Sequence, residues 1–311
     1  MTARAVVTRR AHAKVNLALA VGPPNPPPPA GDGLHPIASW FCAIDLADEV
    51  TVTRLAPDRA SRYAILWADD APRRTDIGWP ILSDLAVRAH RALERAVGRP
   101  LPVQMKVEKR IPVGAGLAGG SSDAAAALRA VCEVYDLGLR EARLRAIARD
   151  LGSDVAFFLD EPDRDAPRPA LVTGSGDEIE RTPSAQAPSG GPVALALILP
   201  AFGCSTPAVY RAFDHAGGGA FDTERVARLA RAGVVQSDDL FNDLAGPACA
   251  VEPRLAQTRA AVSAAVGAPV HVTGSGSAMF VVVAGERDPA LERACESAKS
   301  AGAVVRVVRT L

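Results

Sequence analysis

A chain of 311 residues, 48% hydrophobic and 23% charged, has ample material for a buried core and is long enough for two domains. Its 35 basic side chains are offset by 35 acidic ones, so no long-range field draws it to nucleic acid or to an anionic membrane, and neither is expected as a partner. A secretory signal and a run of about 18 apolar residues are both absent, and the five cysteines (Cys42, Cys132, Cys204, Cys249 and Cys295) lack metal-ligand or redox spacing, which together predict a cytoplasmic protein with reduced thiols and set no oligomeric state.

Along the chain, the alternation Val15, Leu17, Leu19, Val21 predicts a half-buried strand over residues 5–21, with Lys14 and Asn16 together on its other face. The prolines of residues 23–29 predict an extended loop. Strands are predicted over 37–45 and 49–55, and Leu82, Leu85, Ala86, Ala89 and Leu93 form the apolar stripe of a helix over 79–97. A strand over 101–107 runs into a glycine-rich loop, and helices are expected over 121–134 and 139–150. The Ser/Pro/Gly/Ala-rich stretch 181–192 reads as a linker, placing one domain at 1–182 and a second at 190–311. Beyond it come a strand over 193–199, a helix over 224–232, helical segments within 245–266, a strand over 279–284, a helix over 289–301 and a strand over 304–309. Strands and helices mingle in both halves without strict repetition, so the fold class is α+β.

The loop is the densest signal. Pro112, Val113, Gly114, Ala115, Gly116, Leu117, Ala118, Gly119, Gly120, Ser121 and Ser122 lie between a predicted strand and a predicted helix. Phosphate binding needs that context: glycines let the backbone approach the anion, amides line the cradle, and the helix N-terminus adds partial positive charge. Ser121 and Ser122 can cap the helix or meet phosphate and a metal ion. Gly114, Gly116 and Gly119 also match the spaced glycines of a dinucleotide site, but the preceding strand carries Lys106, Glu108 and Lys109 where such a strand is buried and apolar. No Gly-Lys-Ser/Thr follows, which excludes the P-loop of the strand-helix NTPases. A purely structural glycine turn is the remaining alternative.

On these residues the chain resembles a family. The sequence PVGAGLAGGSSD at 112–123 is similar to the signature loop of the GHMP small-molecule kinases, and AKVNLAL (13–19), DGLHPI (32–37), LGSDVAFF (151–158) and TGSGSAMF (273–280) resemble those members that act on a CDP-linked methylerythritol. The resemblance implies a two-domain architecture, an N-terminal ATP-phosphate-binding domain like ribosomal-protein domains and an α/β-plait C-terminal domain that contributes to substrate binding. It implies ATP and Mg2+ as cofactors and phosphorylation of the substrate's 2-hydroxyl in the non-mevalonate isoprenoid pathway. Asp154 matches the catalytic aspartate that takes the hydroxyl proton, with a nearby Lys14 lowering its pKa from about 3.9 and offsetting charge on the transferring group. Asn16 is implied to bind substrate, His35 to recognise cytosine, Tyr210 to stack on it, and Thr206 to lie near the catalytic aspartate. Each has a plainer alternative: a helix N-cap for Asp154, a strand-edge lysine for Lys14, a turn residue for His35 and a packed aromatic for Tyr210. Leu34 and Asp84 depart from the pattern, standing where related kinases often carry a stacking aromatic and an asparagine near the nucleotide. His12, His90, His215 and His271 have no metal-site spacing. A kinase of the same superfamily acting on homoserine, mevalonate or a sugar, or a nucleotide-binding regulator, stays open; His35 with Tyr210 discriminates against the former, Lys14 with Asp154 against the latter.

Overall fold

From Ala11 to Val21 the chain is apolar at most positions, and the strand that forms there, β1 (Val6–Val21), is buried on both faces over that stretch. The expected half-buried strand is therefore corrected to one enclosed on both sides, where even Lys14 and Asn16 are withdrawn from solvent. No glycine or proline interrupts residues 37–54, and instead of two strands a single one forms, β2 (Ile37–Arg54). The computed structural model describes residues 5–26, 34–160, 164 and 166–311. It divides into two compact units, one formed by Met1–Ala13, Leu46–Val113 and Ala118–Pro167, the other by Lys14–Asp45, Gly114–Leu117 and Arg168–Leu311.

In the first unit, β3 (Arg62–Trp67), whose half-exposed residues hid it from the hydrophobic pattern, pairs parallel with β4 (Val103–Lys109). In turn β4 pairs antiparallel with the far end of β2, from Glu49 opposite Glu108 to Arg54 opposite Val103. Helix α1 (Leu85–Val97) begins later than expected because Asp84 is extended and caps it, accepting the Ala86 N–H at 2.9 Å; it ends at Gly98 with φ 68°. Only a short 3-10 turn, Ile81–Ser83, precedes it. The alanine-rich α2 (Gly119–Tyr135) packs against α1, and α3 (Glu141–Leu151) packs against both.

In the second unit, β5 (Ala170–Thr173) and β6 (Glu178–Arg181) form a hairpin on the Ser39–Phe41 part of β2. The wholly buried β7 (Ala194–Leu199) belongs to a separate four-stranded sheet, while β8 (Phe241–Asn242) pairs parallel with β1 at Ala18 and Leu19. With β9 (His271–Val272), β10 (Met279–Val283) and β11 (Val304–Arg309), the second sheet runs β11-β7-β10-β9, antiparallel throughout. Helices α4 (Thr206–His215), α5 (Thr223–Ala232), α6 (Ala245–Val251), α7 (Pro253–Val266) and α8 (Pro289–Ser300) accompany these strands. Val209 and Phe213 of α4, Leu255 and Val262 of α7, and Ala294 and Ala298 of α8 share a buried cluster with Ala196, Ile198 and Val281 of the sheet. The stretch expected as a linker is tied into this unit: Gln186 donates its N–H to the Gly233 carbonyl and accepts from Val235 N–H, both at 2.8 Å. Both units mix strands and helices as an α+β fold does. Among the described residues no helix is long and apolar enough to cross a membrane.

Candidate functional site

The glycine-rich loop leaves the end of β4 and enters α2, and its side chains are turned inward: Pro112, Ala115 and Leu117 are buried while Gly114 and Gly120 are exposed. An anion meeting this segment would therefore meet backbone. Gly114 and Gly116 adopt φ of 69° and 77°, the left-handed region where glycine carries no penalty, and a Cβ on Gly116 would collide with the Thr273 carbonyl oxygen. The stretch is held by its carbonyls, since Lys14 N–H donates to Leu117 C=O at 3.1 Å and Ala278 N–H to Ala115 C=O at 3.0 Å. Helix α2 opens at Gly119, two residues before the expected start, and its first intrahelical bond runs from Ser122 N–H to Ala118 C=O. The N–H groups of Gly119, Gly120 and Ser121 thus precede the ladder, the condition under which a helix start accepts an anion. Glycine is required at 119 for a different reason than phosphate approach: a Cβ there would meet Ile111 Cγ2 at 2.9 Å and come within 3.4 Å of Lys109 Nζ.

Beneath that helix start lies a network the sequence reading missed. Lys109, 3% exposed, bonds Asp48 and Asp123, and Asp48 also accepts the N–H groups of Arg110 and Ile111. Burial pushes the Asp123 carboxyl well above its ordinary range, Lys109 opposing and Asp48 adding to the rise. Burial likewise works against the Lys109 charge, but the two carboxylates outweigh it and its pKa is raised. Asp123 Oδ1 is buried without a hydrogen-bond partner. The lysine's rarity in an arginine-rich chain was the one available signal, and its distance in sequence from Asp48 concealed the partner.

Lys14, 4% exposed, donates to Asn16 Oδ1 at 2.7 Å and lies 4.6 Å from the centroid of the Phe41 ring. Asn16 is fixed in turn: its Nδ2 donates to Ser39 Oγ at 2.8 Å, its N–H to Thr273 Oγ1 at 2.9 Å, and Ser39 Oγ donates to Ala18 C=O. The structure thus brings together Lys14, Asn16 and the glycine motif at Thr273. Asp154 belongs to the first unit, half-buried inside the 3-10 turn Ser153–Phe158 that follows α3; Gly152, not Asp154, occupies the cap.

His35 and Tyr210 also meet. The His35 ring stands 4.9 Å from that of Tyr210 and edge-on to Phe213 at 5.8 Å. Its Nδ1 bonds the Gly22 carbonyl at 2.8 Å, an acceptor that requires the proton on Nδ1, and Nε2 lies 3.4 Å from Asp214 Oδ1. Thr206, at the first turn of α4, shares a 2.8 Å hydrogen bond with Ser275 Oγ and stands one turn before Tyr210. Leu34 is half exposed; Asp32, Gly33 and residues 27–29 of the proline loop lie outside the described residues. Asp84 caps α1 and accepts Trp79 Nε1–H at 3.1 Å. Among the described residues no three His, Cys, Asp or Glu side chains are grouped to hold a metal ion.

Comparison with known proteins places these features in a wider set. The model of the GHMP kinases N terminal domain matches residues 84–161. A 4-diphosphocytidyl-2-C-methyl-D-erythritol kinase of Streptomyces coelicolor is 37% identical over 277 residues, covering 87% of this chain and 85% of its own length. One from Anaeromyxobacter dehalogenans is 36% identical, covering 88% and 80%. Among solved structures, a 4-(cytidine 5'-diphospho)-2C-methyl-D-erythritol kinase superposes with a TM-score of 0.72 at 32% identity, covering 98% of this chain and 99% of the other. A homoserine kinase from Cytophaga hutchinsonii shares the fold, with a TM-score of 0.67 at 15% identity.

Proposed function

The chain belongs to the family of 4-diphosphocytidyl-2-C-methyl-D-erythritol kinases, and from that membership we propose that it transfers the γ-phosphoryl group of ATP to the 2-hydroxyl of the CDP-linked methylerythritol, a step of the non-mevalonate isoprenoid pathway. The observation that carries this reading is the likeness to relatives of that name along 87% of the chain. The glycine loop and the start of α2 fit a triphosphate, because the side chains of Pro112, Ala115 and Leu117 are buried and leave backbone outward, and three N–H groups precede the α2 ladder. In this proposal the backbone from Pro112 to Ser122 holds the phosphates; Ser121 and Ser122 are the hydroxyls that would hold a Mg2+ brought with the nucleotide, and that ion would supply positive charge against the phosphate oxygens.

Phosphoryl transfer passes through a loose transition state, so positioning and charge do most of the work. Asp154 accepts the substrate hydroxyl's proton. Lys14, aimed by Asn16, faces developing negative charge on the transferred group, and Asn16 and Thr206 bind the methylerythritol portion. Tyr210 and His35 bind the cytosine. Residues 1–182 accordingly carry the ATP-phosphate site and 190–311 contribute to the substrate site.

The test is transfer of label from γ-labelled ATP by the purified full-length protein. We expect labelling of the CDP-linked methylerythritol and none of homoserine, mevalonate or free sugars. Labelling of one of those three instead would replace this reading with that of another kinase on the same fold.

A further inference from the structure

One residue of the second unit holds a backbone conformation that its own side chain disfavours. Phe221, in the connection between α4 and α5, has φ 47°, in the left-handed region that bulky side chains avoid and that persists where the surroundings over-determine it. Glycine adopts this conformation without steric cost, and the chain uses it a few residues earlier, at Gly217 (φ 89°) and Gly218 (φ 75°). At 221 it keeps a phenyl ring instead.

The ring's surroundings give that choice a purpose. A Cβ built on Gly22 would meet Phe221 Cδ1 and Cε1, each at 3.1 Å, and Pro36 Cγ at 2.8 Å. The bare backbone of Gly22 is therefore what lets the ring lie against this turn. Gly22 donates its N–H to the Pro36 carbonyl at 2.8 Å and accepts from His35 Nδ1 at 2.8 Å, so Phe221 abuts the residue that orients His35. It is only half-buried. On the same turn Leu34 is aliphatic and exposed, and the Tyr210 ring lies 4.9 Å from that of His35, tilted by 44°.

We propose that Phe221 is a specificity-determining residue of the base subsite, its ring supplying a second aromatic surface for the pyrimidine of a nucleoside-diphosphate-linked substrate, beside the Tyr210–His35 pair. This rests on the substrate reading given above. Aromatic surface is what a flat base recognises with little regard to hydrogen bonding, and the strained backbone places that surface where Leu34 offers none.

Phe221→Gly tests the idea without backbone penalty. In steady-state assays of the full-length enzyme it should raise KM for the CDP-linked substrate about tenfold, with KM for ATP and kcat within about twofold of wild type. Its melting temperature should be equal to or above that of wild type. Phe221→Tyr should restore KM, and calorimetric titration with CDP should weaken in parallel for the glycine variant alone. An unchanged KM for the CDP-linked substrate in Phe221→Gly, while Tyr210→Ala raises it, overturns the inference and leaves the substrate reading standing. A fall in melting temperature with both KM values rising together also overturns it, by making the ring a packing residue. A wild-type enzyme that ignores the CDP-linked substrate removes the substrate reading itself, and the inference with it.

Discussion

Lys14 is a charge almost wholly withdrawn from water, and the Asn16 amide oxygen and the Phe41 ring face are among the groups that hold it there. An ammonium held in place in this way is suited to meet negative charge that develops during reaction. Asp154 is placed differently, half-buried in a turn whose cap is Gly152, and an isosteric change there leaves the local backbone its bonds. Asp154→Asn should lower kcat by about 10²–10⁴-fold while ATP titrates calorimetrically as in wild type; an unaltered kcat would leave Asp154 a turn residue only. At this scale the sequence was informative where chemistry is local. The pairing of Lys14 with Asn16 was legible because a strand puts alternate residues on one face, and the meeting of His35 with Tyr210 followed from the resemblance. Gly119 was read for the wrong contact, since the direction of an absent side chain, toward Ile111 and Lys109, depends on where the helix begins.

Strand β4, strand β2 and helix α2 converge on Lys109, whose single positive charge serves two buried carboxylates. Removing it strands both acids in a medium of low dielectric, and unpaired buried charge of this kind typically costs about 3–5 kcal/mol. Lys109→Met should therefore lower unfolding free energy by about that amount in urea titrations, and adding Asp48→Asn and Asp123→Asn to it should recover most of the loss. A loss below about 1 kcal/mol would show the network contributes like a surface pair. The apolar stripe of α1 could be read from the chain, and α2 and β11 form within two residues of their expected bounds. The missed ones have physical causes: β3 is half-exposed along its length, β5 and β6 are four residues each, and the break expected between residues 45 and 49 needs a turn residue that is not there.

For the molecule as a whole, acid is the sharpest stress. Burial first and Arg259 second push the His271 imidazole down from 6.5 to about 4, and His90 is lowered in the same direction by burial. A histidine with a depressed folded-state pKa takes up its proton more readily when unfolded. Stability is thus intact above about pH 6.5 and is lost as pH falls toward about 4, at about 1.4 kcal/mol per pH unit for one group and about 3 kcal/mol across the window for His271. Asp123, raised, acts in the opposite sense, so the comparison is between wild type and His271→Gln: urea midpoints measured from pH 7 to pH 4 should fall more steeply for wild type, and parallel profiles would refute the assignment. What the sequence concealed at this scale is the division into units. Composition suggested a cut at 181–192, yet Gln186 is bonded on both its backbone groups, and each unit gathers distant stretches of chain. That threading bears on how the protein is made. Leu311 N–H bonds the Ala43 carbonyl and Thr310 N–H the Val193 carbonyl, so a segment translated early stays without these partners until residues 310 and 311 have been made. At about 5–20 residues per second that delay is on the order of 10–50 s for Ala43, an interval in which the apolar stretch from Ala38 to Ile44 depends on chaperones or on its own provisional collapse for cover.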